Sequence, residues 1–332
     1  MRQDPTTRTW ILVGRSGGDP GRKEAPDGCP FCPGHEVETP PAVAVITGPD
    51  GAWRVRAFPD KSPVFQVEGD LGKEGEGMYD RMRNVGAHEV VVETPQHATT
   101  LANLPAEDIA RVLQMFRQRI QDLKKDVRFR YIQVFKNQGL TSGSFIEHAH
   151  SHLVATPVIP RRLETELRWS KQHYDLKERC LYCDIVRQEV ESGTRLVQQD
   201  AEFVAFCPFA PRFAYEVWLF PLVHGHRFED LDDPALTRLA GVLKSVLRPV
   251  ERKAPDYHVV LHTAPNEKSP PVWGLAWETL PFDFHWHIEV LPRQADVARL
   301  HREEEFYVNP VPPRRGGAAV TRHARRVICR PC

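Results

Sequence analysis

The sequence predicts an α+β fold made of two related halves, because the same features occur twice along the chain in the same order. Each half begins near a Cys-x-x-Cys motif, at Cys29–Cys32 and at Cys180–Cys183. Each continues with a strand that carries a His, then a helix, a second strand and a His-x-His motif. Chance could produce one such pair but hardly all five in register, so we expect an internal duplication.

The elements of the two halves follow from residue spacing. Segments that start at Glu89 and Glu216 align without gaps, and each has His at its ninth position. Apolar residues recur at helical spacing after Pro105 and after Pro234. We therefore expect strands at 89–97, 131–135, 216–224 and 257–261, with helices over 109–123 and 236–250.

Changes of composition suggest the boundaries of the halves. We place the first half at residues 1–162, the second at 163–311 and a tail at 312–332. Residues 160–178 are charged and polar, which favours a linker. The tail is rich in Pro, Gly and Arg, so we expect it to be partly extended.

Composition excludes several classes of protein. The 332 residues are 41% apolar, and 44 Lys and Arg balance 44 Asp and Glu, which gives no reason to expect nucleic acid or membrane as a partner. No run approaches the ~18 apolar residues of a membrane span. No apolar segment follows the N-terminus, so we expect no secretory signal and a cytoplasmic location. The seven cysteines should be reduced there, and closely paired ones favour metal binding.

Two zinc sites are expected, one in each half. Zinc takes four tetrahedral nitrogen and sulfur ligands, and a Cys-x-x-Cys turn supplies two of them. The repeat supplies the others by position, giving these two sets: Cys29, Cys32, His97 and His148; and Cys180, Cys183, His224 and His285.

Some alternatives stay open for these metal sites. His226 could replace His224, and the cysteines could simply be reduced core residues. A third Cys-x-x-Cys motif, Cys329–Cys332, has no matching His, so we interpret it as part of a frayed tail. Four protein ligands leave no open position, so each zinc would be structural.

The segment around His150 carries the densest functional signal. Side chains two apart on a strand share a face, so His148, His150 and His152 should point the same way. A Gly/Ser-rich loop before them, including Gly143 and Ser144, offers backbone N–H groups for phosphate oxygens.

An unprotonated imidazole is a competent nucleophile at phosphorus, which predicts a covalent nucleotidyl-His150. Alternatively, all three histidines of this strand could be metal ligands or surface groups.

Four stretches of the sequence resemble the galactose-1-phosphate uridylyltransferase family, a branch of the histidine-triad superfamily, and especially its ADP-glucose phosphorylase-like relatives. The family patterns are NPxTGxWILV, CPFCPGNE, VFxNxG…G leading into HPHxQ, and a late segment. The matching stretches are residues 4–13, 29–36, 134–143 with 148–152, and 306–311.

The resemblance implies a fold and a set of site residues. It implies histidine-triad-like half-domains, each an antiparallel sheet with helices packed on it, and commonly a homodimer. It implies His150 as nucleophile and the Cys29 set as zinc ligands. It also implies that Asn137 and Gly143 position phosphate and that Asp60 stands near the nucleotide, where the family usually has Asn.

Three departures from the family pattern bear on the acceptor. His152 stands in place of Gln, and a His can handle protons, which makes water a more plausible acceptor. Ala149 replaces Pro between the two histidines. The family's late element linked to hexose phosphate is replaced by residues 299–305, which weakens the expectation of galactose 1-phosphate.

The leading hypothesis is a nucleotidyltransferase of galactose and carbohydrate metabolism. It would move a nucleoside monophosphate between a nucleoside diphosphate sugar and a sugar 1-phosphate, like a UDP-glucose–hexose-1-phosphate uridylyltransferase. The first alternative is a phosphorylase or hydrolase of nucleoside diphosphate sugars or dinucleotides that uses the same His150, with His152 assisting. The second is a non-catalytic, zinc-stabilised nucleotide-binding protein.

Overall fold

A computed structural model of the chain describes residues 1–13, 28–271, 275, 277–293, 309 and 311–313. Its strands are β1 (Arg2–Gln3), β2 (Trp10–Ile11), β3 (Ala44–Thr47), β4 (Trp53–Pro59), β5 (Glu74–Glu76), β6 (Tyr79–Arg81), β7 (Ala87–Val92), β8 (Tyr131–Gln138), β9 (His150–Thr156), β10 (Leu196–Gln199), β11 (Phe203–Phe206), β12 (Val217–Pro221), β13 (Tyr257–His262) and β14 (His287–Pro292). Its α-helices are α1 (Ala106–Leu123), α2 (Arg161–Lys177), α3 (Leu181–Ser192), α4 (Asp233–Lys253) and α5 (Leu280–Asp283). None of these helices is both long and apolar enough to cross a membrane.

Both halves contribute to one ten-stranded sheet, with the strand order β10-β11-β12-β14-β13-β8-β9-β7-β4-β3. Reading outward from the middle gives β8-β9-β7-β4-β3 on one side and β13-β14-β12-β11-β10 on the other, so the duplicated order is symmetric. Neighbouring strands in this sheet are antiparallel. The predicted α+β class with antiparallel sheets is therefore confirmed. A separate four-stranded sheet has the order β2-β1-β6-β5.

The two halves are joined at β8 and β13, where Val134 lies opposite Leu261 and Asn137 opposite His258. The repeat alone predicted a sheet in each half but not this junction. Pairing the two inner strands covers a sheet edge of each half that would otherwise expose unpaired N–H and C=O groups.

Helices α1 and α4 cover one face of the sheet. Their apolar residues are buried in one core cluster with Leu153 of β9, Ala205 of β11 and Val290 of β14. Both helices were expected from their apolar spacing, and the Asp232 side chain caps α4 by accepting from the Ala235 N–H at 2.8 Å. Successive side chains in a strand point to opposite faces of the sheet. The residues next to those buried under α1 and α4 therefore point to the other face.

The opposite face is covered by α2 and α3 in the second half. Leu163, Leu167 and Tyr182 of these helices join Val204 and Phe206 of β11 in a second core cluster. The expectation of a linker over 160–178 was therefore wrong, because this interval forms α2 and its buried residues pack on the sheet.

Candidate active site and metal clusters

The histidine strand β9 lies between β7 and β8. His150 is opposite Val92, and His152 is opposite both Val90 of β7 and Phe135 of β8. His150 and His152 point away from α1 and α4, because their neighbour Leu153 is in the core beneath those helices. Their rings are 5.1 Å apart. The two side chains thus lie together on the face of the sheet opposite α1 and α4.

The imidazole of His150 is oriented by its own strand. Its Nδ1–H donates to the backbone carbonyl of His148 at 2.7 Å, so Nε2 carries the lone pair. The ring of Phe31, in the Cys-x-x-Cys loop, packs against it at 5.3 Å. Burial, and then the neighbouring Lys136 ammonium, lower the pKa of His150 to about 4, which keeps the ring neutral and nucleophilic.

A buried ion pair holds the backbone of β9 in place. The Lys136 ammonium donates to the Glu93 carboxylate at 2.9 Å and to the carbonyl of His150 at 3.0 Å. The hydroxyl of Ser151 donates to the other oxygen of Glu93. The side chains of Lys136 and Glu93 are 3% and 0% exposed, so each charge depends on the other for compensation.

Cys29, Cys32, His97 and His148 form one cluster, with one possible ligand atom from each residue within 4.8 Å of the others. Nδ1 of His148 lies 3.6 Å from the sulfur of Cys29 and 3.6 Å from that of Cys32. Nδ1 of His97 lies 3.5 Å from the sulfur of Cys32. Nε2–H of His148 donates to the carbonyl of Thr94 at 2.7 Å, which turns the lone pair of Nδ1 toward the two sulfurs.

Cys180, Cys183, His224 and His285 form a matching cluster in the second half. Nδ1 of His224 and Nδ1 of His285 lie 3.2 and 3.5 Å from the sulfur of Cys183. The structure brings His224, not the alternative His226, to this cluster, and His226 lies instead 3.5 Å from the Glu267 carboxylate.

Both clusters suit a tetrahedral metal. For zinc, the usual bond lengths place a sulfur and a nitrogen ligand about 3.6 Å apart, close to the separations seen here. Two thiolates and two imidazoles form one of the donor sets found in structural zinc sites. Either cluster can therefore hold a metal ion, and all four positions would come from the protein.

The loop between β8 and β9 differs from the expected cradle of free N–H groups. The N–H groups of Gly143 and Ser144 donate to the carbonyls of Leu140 and Gly139, at 3.0 and 3.2 Å. Gly143 has φ of +84°, which strains any residue with a Cβ. The loop is therefore a self-bonded turn whose shape requires glycine at this position.

Asn137 links this loop to the second half. Its Oδ1 accepts from Nδ1–H of His258 at 2.8 Å, and Nε2 of His258 accepts from Arg293 at 2.7 Å. A Cβ at Gly143 would lie 3.9 Å from the amide nitrogen of Asn137, so that amide faces the turn.

Asp60 and His88 complete the surroundings of His152. Nε2 of His88 lies 3.2 Å from Nδ1 of His152 and 3.7 Å from the Asp60 carboxylate. Phe135 stacks on the other side of His152, with ring centroids 5.2 Å apart. The sequence indicates Asp60 but not His88, which is brought to His152 only by the pairing of Val90 with His152 across the strands.

The second half repeats the backbone geometry around His150, and the equivalent histidine is His287. Nδ1–H of His287 donates to the carbonyl of His285 at 3.0 Å, as in the first half. His287 is only 1% exposed and stacks on Phe220 at 4.8 Å. Glu289 occupies the position of His152, and Glu166 of α2 accepts from His262 at 2.7 Å beside it. The equivalent histidine is therefore closed off by residues of its own half.

Two expected features cannot be placed. Cys329 and Cys332, the third Cys-x-x-Cys motif, lie outside the described residues, as does most of the tail. The same holds for residues 299–308, which include the interval that replaces the late hexose-phosphate element.

The sequence and fold match known proteins over nearly their whole length. A family model, galactose-1-phosphate uridyl transferase, N-terminal domain, matches residues 21–160. The ADP-glucose phosphorylase of Arabidopsis thaliana is 28% identical, over 94% of this chain and 90% of that protein. The galactose-1-phosphate uridylyltransferase of Thermotoga maritima is 25% identical, over 94% of this chain and 95% of that protein.

The ADP-glucose phosphorylase that is similar in sequence is also similar in fold. The crystal structure of the Arabidopsis thaliana ADP-glucose phosphorylase with bound ADP-glucose superposes with a TM-score of 0.78 and 26% identity, covering 96% of each chain. Together with the matches in sequence, this likeness confirms the resemblance of the chain to the galactose-1-phosphate uridylyltransferase family and to its ADP-glucose phosphorylase-like relatives.

Proposed function

We propose that the protein is a nucleotidyltransferase that moves a nucleoside monophosphate between a nucleoside diphosphate sugar and a sugar 1-phosphate through a covalent nucleotidyl-His150. The observation that carries this proposal is the imidazole of His150, which is neutral, oriented by the carbonyl of His148 and able to present the Nε2 lone pair. The names of the relatives support the same class of reaction.

The chemistry needs two displacements at phosphorus. Nε2 of His150 attacks the α-phosphorus, forming a nitrogen–phosphorus bond as the bond to the sugar 1-phosphate oxygen breaks. The sugar 1-phosphate leaves as an anion, so no proton must be given to it. The imidazolium that results keeps its Nδ1–H bonded to the His148 carbonyl, which stabilises the new charge. A phosphate oxygen of the acceptor then attacks phosphorus and restores His150.

We propose that one zinc ion binds in each Cys/His cluster and plays a structural part. In the first half, the ion would join the Cys-x-x-Cys loop, the segment after β7 and the start of β9. Because His148 is two residues before His150, the metal would fix the nucleophile's strand without meeting the substrate. We propose in addition the domain limits given above, a homodimer and a cytoplasmic location.

The identity of the acceptor divides two candidate reactions. A galactose-1-phosphate uridylyltransferase-like enzyme uses a hexose 1-phosphate, whereas a phosphorylase uses inorganic phosphate. The Arabidopsis thaliana relative named as an ADP-glucose phosphorylase favours the second reaction as the alternative.

A substrate panel tests the proposed class and separates the acceptors. UDP-glucose and ADP-glucose would each be incubated with the protein, with galactose 1-phosphate, with inorganic phosphate and with neither. We expect consumption of one nucleotide sugar to depend on an acceptor, with sugar 1-phosphate as a product. Equal turnover without any acceptor would contradict transfer and favour hydrolysis.

A further inference from the structure

Asp60, His88 and His152 form a chain of polar groups that ends beside the nucleophile. Asp60 directly follows β4, His88 is in β7 and His152 is in β9, and the ring of His152 is 5.1 Å from that of His150. The side chains of His88 and Asp60 are 14% and 23% exposed. The nucleophilic attack described above does not use His88.

The hydrogen bond between the two histidines contains one proton. Nε2 of His88 and Nδ1 of His152 are 3.2 Å apart, so one of them must donate and the other accept. Burial lowers the pKa of His88, and burial followed by the His150 and His88 rings lowers the pKa of His152 to about 3. Both rings are therefore neutral, and each carries a single proton.

Asp60 decides which nitrogen carries that proton. Its Oδ1 accepts from the N–H of Ser62 at 2.7 Å, and its Oδ2 lies 3.7 Å from Nε2 of His88. A carboxylate attracts an N–H and repels a lone pair, so the proton belongs on Nε2 of His88. His88 then donates to Nδ1 of His152, and His152 must hold its own proton on Nε2.

The remaining nitrogen of His88 agrees with this assignment. Nδ1 of His88 is buried and has no hydrogen-bond partner within the described part of the chain. With the proton on Nε2, this atom is a bare acceptor. The reverse assignment would leave a buried N–H without an acceptor, which folded proteins avoid more strongly.

We propose that Asp60 and His88 are positioning residues that hold His152 as an Nε2–H donor to a phosphoryl oxygen of the nucleotidyl-His150 intermediate. This inference rests on the proposed function. Its consequence is that His152 has no lone pair on Nε2 with which to take a proton from water. The intermediate then reacts with a phosphate acceptor, because the attacking oxygen of phosphate carries no proton that a base must remove.

A double-mutant cycle tests this role. His88→Ala would be made in the wild-type chain and in a His152→Gln chain, because a Gln amide always has an N–H to donate and needs no fixed tautomer. We expect His88→Ala to lower kcat about tenfold or more in the wild type, with little change in KM, since one donor is worth about 10²-fold or more in a transition state. In the His152→Gln chain, the same change should lower kcat less than about threefold.

The partition of the intermediate gives a second readout that a merely structural role would not move. With inorganic phosphate present, His88→Ala should raise the ratio of hydrolysis to phosphate transfer, because His152 can then expose a lone pair on Nε2. His173→Ala is the matched control, since His173 pairs with Asp184 on α2 and α3 and should leave both kcat and the ratio unchanged.

Labelling of His150 by nucleotide keeps the two proposals apart. The positioning role would be overturned by equal losses of kcat in both backgrounds, by an unchanged ratio of hydrolysis to transfer, or by a His152→Gln protein without turnover. If His150 still carries the nucleotide label in that case, the proposed function stands. A wild type that never carries label would overturn the proposed function, and the inference with it.

Discussion

His148 and His150 are two residues apart, yet they have different surroundings. His148 turns Nδ1 toward two cysteine sulfurs, whereas His150 donates its Nδ1–H to a carbonyl and keeps the Nε2 lone pair. The two histidines have different tautomers, and one backbone carbonyl sets each of them. The carbonyl of Thr94 accepts from His148, and the carbonyl of His148 accepts from His150. A single short motif can therefore supply a metal ligand and a nucleophile.

Replacing the nucleophile should abolish the chemistry without unfolding the protein. We expect His150→Asn to lower kcat by about 10³-fold or more, because an Asn amide cannot form the covalent intermediate. Steady-state turnover measures the loss, and thermal unfolding within a few degrees of wild type is the control. Activity within about tenfold of wild type would rule out the proposed role of His150.

The sequence predicted His150 from its motif but could not predict the partners of His152. His88 lies 64 residues away along the chain, and only the antiparallel register of β7 with β9 places it diagonal to His152. A lone His beside Val-rich strand residues carries no local signal of this kind. The hydrogen bonds of the loop N–H groups could not be predicted either, because they depend on the turn that Gly143 permits.

Strand β9 depends on a buried charge pair as well as on its neighbours. Lys136→Met removes the cation that pairs with Glu93 and leaves that carboxylate buried with only the Ser151 hydroxyl as a side-chain partner. We expect it to lower the free energy of unfolding by about 3–5 kcal/mol, and a Lys136→Met, Glu93→Gln double variant to recover part of the loss. Denaturant titration measures both.

Lys125→Met is the control for that prediction. Its side chain is 73% exposed and pairs at the surface with Asp122, so its removal should cost less than about 1 kcal/mol. A Lys136→Met protein as stable as Lys125→Met would show that the buried pair does not support β9.

A substitution in one metal cluster should remove the metal of that cluster and leave the metal of the other half in place. Cys29→Ser and Cys180→Ser should each lose about one of two bound zinc ions, since each removes one of four ligands from one cluster. The first change should reduce turnover more than the second, because only the first cluster includes a residue of the nucleophile's motif. Elemental analysis and kcat measure these effects, and an unchanged zinc content in Cys29→Ser would exclude the first site.

The predictability of the helices depended on their apolar pattern. Helices α1 and α4 bury a regular apolar stripe and were expected. Helix α2 buries Leu163 and Leu167 but leaves Trp169 60% exposed among many charges, so its sequence has the composition of a linker. Packing against the second half stabilises α2, although its local sequence does not predict a helix.

One continuous sheet joins the two halves. The half that contains His150 joins the other through β8 and β13, and Asn137 accepts from His258 across that junction. In the second half, α2 and α3 cover the sheet face that carries His287, whose ring lies 5.1 Å from that of Tyr182. The repeat in the sequence predicted two equivalent units but not their junction, because pairing of distant strand edges leaves no local pattern.

The joined sheet should unfold as a unit. We expect Cys180→Ser to lower the denaturant midpoint reported by β8 and by β13 together, since the paired strands share their hydrogen bonds. Hydrogen exchange read by mass spectrometry on peptides from both strands measures this. Loss of protection in β13 with β8 unaffected would show instead that the halves are independent.

The covalent nucleotidyl-His150 can be sought directly. The protein would be mixed with ADP-glucose or UDP-glucose in the absence of acceptor, denatured, digested and examined by mass spectrometry. We expect a nucleoside monophosphate on the peptide that contains His150, and its absence in His150→Asn. Turnover of either sugar nucleotide by a wild-type protein that never carries this adduct, or that carries it on another residue, would contradict the covalent mechanism.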